Sequence, residues 1–305
     1  MRNDAERQFV RLIFDASGKY ASWDPEVPIE VGDYGRITSG NKGFWFWRRR
    51  KGIFLKEGNI YKDGKAKDFE IPSPNEHGVQ ADGTGVAWIV SQNAVKIDFD
   101  VNLSTTIPAF AECGVKAGFH FFSSPGAILA MQNDTISTID PPGSLRELSK
   151  HPTMANRVIV SEVHRCSSYM RALTSSKDRD IFCGLSAQPP APVNVGEVAV
   201  EGKWVTSYSA GNFRSKLDAN GERSFYPLFR LVSFRGTDVT TGLRGAEEED
   251  LTQSLPDAVP PWDIVDKQRI SRSSFWRGPR SRTTTPRPPT GQQSLEEEDP
   301  DEREI

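Results

Sequence analysis

The stretch Val95-Lys96-Ile97-Asp98-Phe99-Asp100-Val101-Asn102-Leu103 alternates apolar and polar side chains without a break. Period 2 is the mark of a β-strand with one apolar face. Beyond Pro108, Val115, Ala117, Phe119 and Phe121 alternate with Lys116, Gly118 and His120. Together the two runs predict a long antiparallel β-hairpin over 95–122, apolar on one face and polar on the other.

The same pattern extends in both directions. Runs at 126–131 and 134–139 continue the sheet. After Pro141-Pro142-Gly143, Ser144-Leu145-Arg146-Glu147 fits a capping box that opens a helix, with Pro152 to end it. Strand patterns resume at 157–164, 166–173 and 180–187, the last two separated by the polar turn Ser175-Ser176-Lys177-Asp178. Val198, Val200, Trp204, Thr206 and Tyr208 alternate with polar neighbours, Asn220-Gly221 signals a turn, and Phe225 to Phe234 closes the sheet. Upstream, Ala5, Phe9, Leu12, Ile13 and Ala16 share one face of a helix over 4–16, and Asp4, Arg7, Arg11 and Asp15 share the other. Strand patterns begin at Ile29. The predicted fold class is α+β: a twisted, mostly antiparallel sheet with long hairpins, an N-terminal amphipathic helix and a few short helices.

The 305 residues carry 38 basic and 41 acidic side chains, a net charge of −3, and 36% are hydrophobic. Residues 241–305 hold 14 acids and 9 bases together with eight prolines, so the remainder is mildly cationic. Such a segment lacks the apolar residues to build a core. The expected organisation is a folded body over 1–240 and a mostly disordered, Pro-rich and charged tail over 241–305. Within that tail, 267–287 is basic and 296–304 acidic. No apolar run approaches the roughly 20 residues of a spanning helix, and the charged N-terminus does not read as a secretory signal. The expected location is cytoplasmic. Cys113, Cys166 and Cys183 lie far apart in strand-like runs and read as buried thiols.

Enzyme signatures are missing. His77, His120, His151 and His164 fall in no metal-binding or nucleophile-activating spacing, and His120 and His164 read as half-buried strand residues. Gly83-Thr84-Gly85-Val86-Ala87-Trp88 does not complete a dinucleotide loop. Asp98 and Asp100 share a strand face, which could support acid–base work but which a solvated surface explains better. The expectation is no catalytic residue, no cofactor and no metal.

The most unusual segment is Phe44-Trp45-Phe46-Trp47-Arg48-Arg49-Arg50-Lys51-Gly52-Ile53-Phe54-Leu55. It reads as a hairpin with a cationic tip. Guanidinium groups grip phosphate and tryptophan favours the water–hydrocarbon boundary, so the segment suits an anionic membrane surface. Base stacking on nucleic acid and a core strand ending in a charged turn are the other readings. The near-neutral net charge weighs against nucleic acid, which is not an expected partner.

In order of elements the chain resembles the pore-forming domain of the gasdermins, in the style of the compact fungal cell-death proteins of that family. The likeness covers about residues 1–235. It rests on the N-terminal helix, the aromatic and basic hairpin Phe44–Leu55, the long hairpin Val95–Phe121, the segment Leu145–Pro152 leading into Val158–Val163, and a second hairpin region to about Tyr208. The resemblance implies a protein that binds anionic phospholipid, forms homo-oligomers on the membrane and inserts β-hairpins to cause lytic cell death. It implies lipid-binding roles for Arg7, Arg11, Trp45, Trp47, Arg48, Arg49, Arg50 and Lys51. It also implies insertion by the hairpin carrying Val95, Ile97, Phe99, Val101, Leu103, Val115, Phe119 and Phe121. The chain departs from the family plan in lacking a large helical C-terminal domain. Restraint would then fall to the short tail until an activating protease cuts it, with Trp262, Ile264, Phe275 and Trp276 as docking residues. The alternative is a soluble β-rich protein that binds a ligand or partner and never inserts, with an unrecognised hydrolase or lyase as a third reading.

Overall fold

β-Branched and aromatic side chains at period 2 fit the pleated, half-buried surface of a sheet. The computed structural model describes residues 5–38, 53–78, 85–99, 107–123, 125–154, 156–175, 179–186, 203–207, 212–234 and 255–262. Helix α1 (Ala5–Ser17) precedes β1 (Tyr20–Ala21), β2 (Asp33–Ile37), β3 (Phe54–Asn59), the one-turn α2 (Lys65–Asp68), β4 (Asn75–Gly78), β5 (Val86–Val90) and β6 (Ala94–Ile97). Next come β7 (Cys113–Phe121), β8 (Gly126–Gln132), β9 (Thr135–Thr138), β10 (Val158–Cys166), β11 (Ser168–Thr174) and β12 (Arg179–Ser186). The last strands are β13 (Trp204–Thr206), β14 (Asn212–Leu217) and β15 (Phe225–Ser233). Every strand pairing is antiparallel, and with the few helices this is an α+β fold.

Two four-stranded sheets run in the orders β14-β11-β8-β5 and β13-β12-β7-β6. Each strand of the first is joined in sequence to its counterpart in the second, so the two are halves of one sheet folded at a corner. We call them the proximal and distal halves. The central pair passes the corner without losing register: Val115 faces Leu185, Phe121 faces Arg179, Gly126 faces Thr174, Gln132 faces Ser168 and Thr138 faces Glu162. Partner numbers keep a constant sum along that ladder. The outer strand slips, because β5 sets Val90 opposite Ile128 whereas β6 sets Ala94 opposite Phe121.

Polar bonds hold the corner. Ser91 N donates to Ala127 O at 2.9 Å, and Ala127 N donates back to Ser91 Oγ at 3.0 Å. Asn93 Nδ2 donates to Ser123 O at 2.7 Å and Pro125 O at 3.0 Å. Gly126 is needed here, since a Cβ at this position would lie 2.2 Å from the Phe121 ring.

Side chains of both halves meet in one apolar cluster on the concave face. Val86, Ile128, Ala130, Met170 and Ala172 come from the proximal half, and Ala117, Phe119, Phe121, Ile181, Cys183, Leu185 and Trp204 from the distal half. Trp88 bridges them, its ring 5.5 Å from Phe119 and 5.8 Å from Trp204. The concave face thus uses odd positions in β7 and even positions in β8, so side-chain parity inverts across the corner.

The third sheet, in the order β1-β15-β10-β2-β3 with β9 beside β10 and β4 beside β9, continues the same ribbon. The largest core lies between it, α1 and the convex face of the proximal half: Phe9, Val10, Ile13, Leu129, Met131, Tyr169, Ile159 and Phe229 all belong to it. Leu255, Ala258 and Trp262, from the stretch assigned to the tail, are buried in this core as well. The chain divides into a unit Met1–Ile264 and a unit Val265–Ile305, and every described residue lies in the first.

Two local expectations are corrected. The capping box does not form: Ser144 Oγ donates to Pro141 O at 2.8 Å, and Pro142–Lys150 is a 3₁₀-helix without a side-chain cap. A proline-rich entry leaves the serine hydroxyl bonding backwards. The hairpin also lacks the single apolar face expected of it. Val95 pairs with His120 and Ile97 with Gly118, so both side chains lie opposite to Phe119 and Phe121. Register, which sequence alone does not fix, decides the face.

Candidate functional site

The bent sheet and the N-terminal segment lying on it form the candidate site. On the convex side of the proximal half, the ladder sets Ile89, Leu129, Arg171 and Arg214 in one cross-strand row. A neighbouring row holds Ala87, Met131, Tyr169 and Lys216. Each row is apolar on β5 and β8 and turns polar or cationic toward β14.

Residues 5–26 cross these rows in matching order. The apolar face of α1 covers β5 and β8 through Phe9, Val10 and Ile13. β1 pairs with β15, and Tyr226 N donates to Pro25 O at 2.7 Å. Trp23 then stacks on the Arg171 guanidinium, 3.6 Å from ring centroid to Cζ. Arg214 bonds Asp24 and Glu26, and Lys216 Nζ lies 2.5 Å from Glu26 Oε2. The Lys216 hydrogen bond holds the Glu26 carboxyl below the usual range, with burial opposing and Arg214 assisting. Burial pushes the Tyr169 hydroxyl up to about 12.

Arg171 is 5% exposed, and its Nε and Nη1 have no hydrogen-bond partner among the described residues. Desolvation lowers its pKa. Cation–π contact with Trp23 offsets part of that cost.

A second charged cluster ties the end of α1 to the third sheet. His164, 5% exposed, places Nδ1 2.8 Å from Asp134 Oδ2 and Nε2 3.1 Å from Glu162 Oε1, and the Lys19 ammonium bonds the same Glu162 oxygen. Burial opposes the charged imidazole, but the Asp134 and Glu162 hydrogen bonds outweigh it and raise the His164 pKa. For Glu162, burial is again outweighed, by His164 and Lys19, and the carboxyl falls to about 2. Lys19 Nζ also lies 2.8 Å from His164 Nε2 and opposes the imidazolium, so Lys19 and His164 share Glu162. Sequence reading missed this cluster, because its members are brought together only by strand pairing.

The structure places the residues singled out from sequence as follows. Arg7 is half-buried on α1, and Arg11 is exposed with Nε 3.8 Å from Asp15 Oδ2. Trp45, Trp47, Arg48, Arg49, Arg50, Lys51, Val101 and Leu103 lie outside the described residues. Phe119 and Phe121 are buried on the concave face, with Val115 packed at its margin. Ile97 and Phe99 pack on the other face of the distal half with Phe110 and Phe182, and Val95 is 45% exposed. The three cysteines are buried and unpaired. Burial pushes the Cys183 thiol up to about 12 and raises those of Cys113 and Cys166. Among the described residues no helix is long and apolar enough to cross a membrane, which says nothing of β-strands. Nor is there a His, Cys, Asp and Glu grouping that would hold a metal.

No family model and no curated protein matches the chain. A solved structure titled as the sugar binding protein pneumolysin is 9% identical, with a TM-score of 0.17, covering 69% of this chain and 53% of the other. The chain thus spans about half the length of that structure.

Proposed function

We propose that this protein binds anionic membranes, assembles there as a homo-oligomer and permeabilises them by flattening its bent sheet, the activity the gasdermin resemblance implies. The observation that supports this reading is the central strand pair, which keeps one register through the corner while side-chain parity inverts. Flattening the ladder needs no re-pairing of 115–138 with 162–185. It moves Ala117, Phe119 and Phe121 onto the same face as Leu129 and Arg171, and transfers Ile128 and Ala130 to the face of Lys116 and His120. In the distal half this leaves an apolar surface for lipid and a polar surface for water, as a membrane barrel requires. The proximal cations Arg171 and Arg214 then stand on the lipid-facing side beyond the apolar band, where anionic headgroups would meet them. β7 and β8, at 9 and 7 residues, together exceed the about 9–11 residues of a tilted spanning strand.

The membrane-inserting role falls on Val115, Phe119 and Phe121 together with Ile181 and Leu185, while Val95, Ile97 and Phe99 face the opposite way. Arg7, Arg11 and the segment Trp45–Lys51 are proposed as further lipid contacts. The buried placement of Leu255 and Trp262 supports restraint by residues C-terminal to the sheet until a protease acts in 241–254.

Dye leakage from vesicles tests the proposal. Leakage from phosphatidylserine-containing vesicles, with none from phosphatidylcholine vesicles, is the expected result for protein cut between residues 241 and 254. No leakage from either, with the fold intact by circular dichroism, would favour a soluble partner-binding protein.

A further inference from the structure

We propose that Asp24 and Glu26 are a releasable clamp: an internal carboxylate pair that occupies the cationic end of the proximal convex face until an anionic lipid surface takes its place. The inference rests on the membrane-binding reading above and names how that face is regulated.

Three observations carry it. The first is complementarity along the chain: α1 sets apolar side chains over Leu129 and Met131, and the loop after β1 sets its acids over Arg214 and Lys216. The second is the unequal strength of the two ends. Phe9 and Ile13 are fully buried, whereas the clamp ion pairs are about one-third to one-half exposed. Exposed pairs are individually weak and screened by salt. A competing anion would therefore lift the acidic end first and leave α1 seated. The third is Arg171. It is buried with Nε and Nη1 making no hydrogen bond among the described residues; the Trp23 ring stacks on it, and Asp24 and Glu6 act on its charge without bonding those nitrogens. A phosphate oxygen would supply the charge-assisted bonds it lacks. The covered state thus satisfies Arg214 and Lys216 but leaves Arg171 wanting, which favours exchange of the internal carboxylates for an external phosphate.

The clamp also ties β14 to the rest of the molecule. Among the described residues β14 pairs with β11 alone, so it is an edge strand. Its outward restraint comes from Asp24, Glu26 and the Tyr169 hydroxyl, which donates to Glu26 at 3.3 Å. Freeing Arg214 and Lys216 loosens an edge strand that α1 does not cover, whereas β5, at the other edge of the proximal half, lies under α1.

Hydrogen exchange on the full chain in solution tests the clamp without any membrane. In the isosteric double variant Asp24→Asn/Glu26→Gln, amides of 212–217 should exchange about tenfold faster, while those of β10 and β15 stay unchanged. A charge-inverted variant, Asp24→Lys/Glu26→Lys with Arg214→Glu/Lys216→Glu, should recover slow exchange. No acceleration at 212–217, acceleration spread equally over β10 and β15, or failure of the inverted pairs to restore protection would each overturn the proposal. In parallel, once both are cut between residues 241 and 254, the double variant should leak dye from phosphatidylserine-containing vesicles faster than the parent. If exchange accelerates as expected but neither cut protein leaks dye, the pore-forming reading fails and the clamp stands.

Discussion

The concave and convex faces of the bent sheet are built from the same strands but closed in different ways. The concave face is shut by its own two halves, Trp88 meeting Phe119 and Trp204 across an apolar interior. The convex proximal face is shut by a separate piece of chain, apolar under α1 and ionic under Asp24 and Glu26. A self-closed face opens only if the corner opens. A face closed by a strap opens one contact at a time, and the ionic contacts are the ones salt, pH and competing anions reach.

The largest expected effect comes from breaking the concave side. Phe119→Ala should cost about 3–5 kcal/mol in chemical denaturation, because Phe119 is 3% exposed and its cavity is lined by both halves. Next is the corner. Gly126→Ala should cost about 1–3 kcal/mol, since the added carbon meets the buried Phe121 ring, and Ser91→Ala should cost less.

A pH effect distinguishes the second charged cluster from the clamp. Glu162 is lowered from 4.5 to about 2, so its contribution is present above pH 4.5 and is lost as pH falls through about 2. His164 is raised from 6.5, so its contribution is present below pH 6.5 and is lost as pH rises through the folded-state value. The two windows overlap between 4.5 and 6.5, and thermal stability should peak there. In His164→Phe the decline above pH 6.5 should vanish from the melting profile. The smallest effect belongs to the clamp: Asp24→Asn/Glu26→Gln should cost about 1 kcal/mol of global stability or less, with its consequence local to β14.

The strands were largely legible in the sequence. Alternation located β7, and strand-like runs between turn signals located β10, β12 and β15, each of which is buried over most of its length. Faces and partners were not legible. Period 2 assigns Val95 and Ile97 to one face of their own strand, but only pairing with His120 and Gly118 shows that this face is opposite to that of Phe119. The corner was hidden for a similar reason. Phe122-Ser123-Ser124-Pro125-Gly126 reads as a turn between separate strands, and nothing in it says that the ladder continues on the far side. His164 reads as a half-buried strand residue. Its neighbour Lys19 is 145 residues away, brought to it because β1, which follows Lys19, pairs with β15 and β15 pairs with β10. Asp24 and Glu26 lie between Trp23 and Pro28 with no local pattern to mark them, because their partners Arg214 and Lys216 are 188 to 190 residues further along the chain.

The central claim, that the bent sheet flattens on an anionic membrane, is tested most directly with two single-cysteine substitutions on the concave face. Ala117 and Ala130 are 4% and 0% exposed, so Ala117→Cys and Ala130→Cys should both resist a water-soluble maleimide in the free protein, read peptide by peptide in a mass spectrometer. On phosphatidylserine-containing vesicles, in protein cut between residues 241 and 254, flattening with register kept sends the two to opposite faces: Cys at 130 should become reactive while Cys at 117 stays shielded by lipid. Reaction of both together, or of neither, would contradict the account.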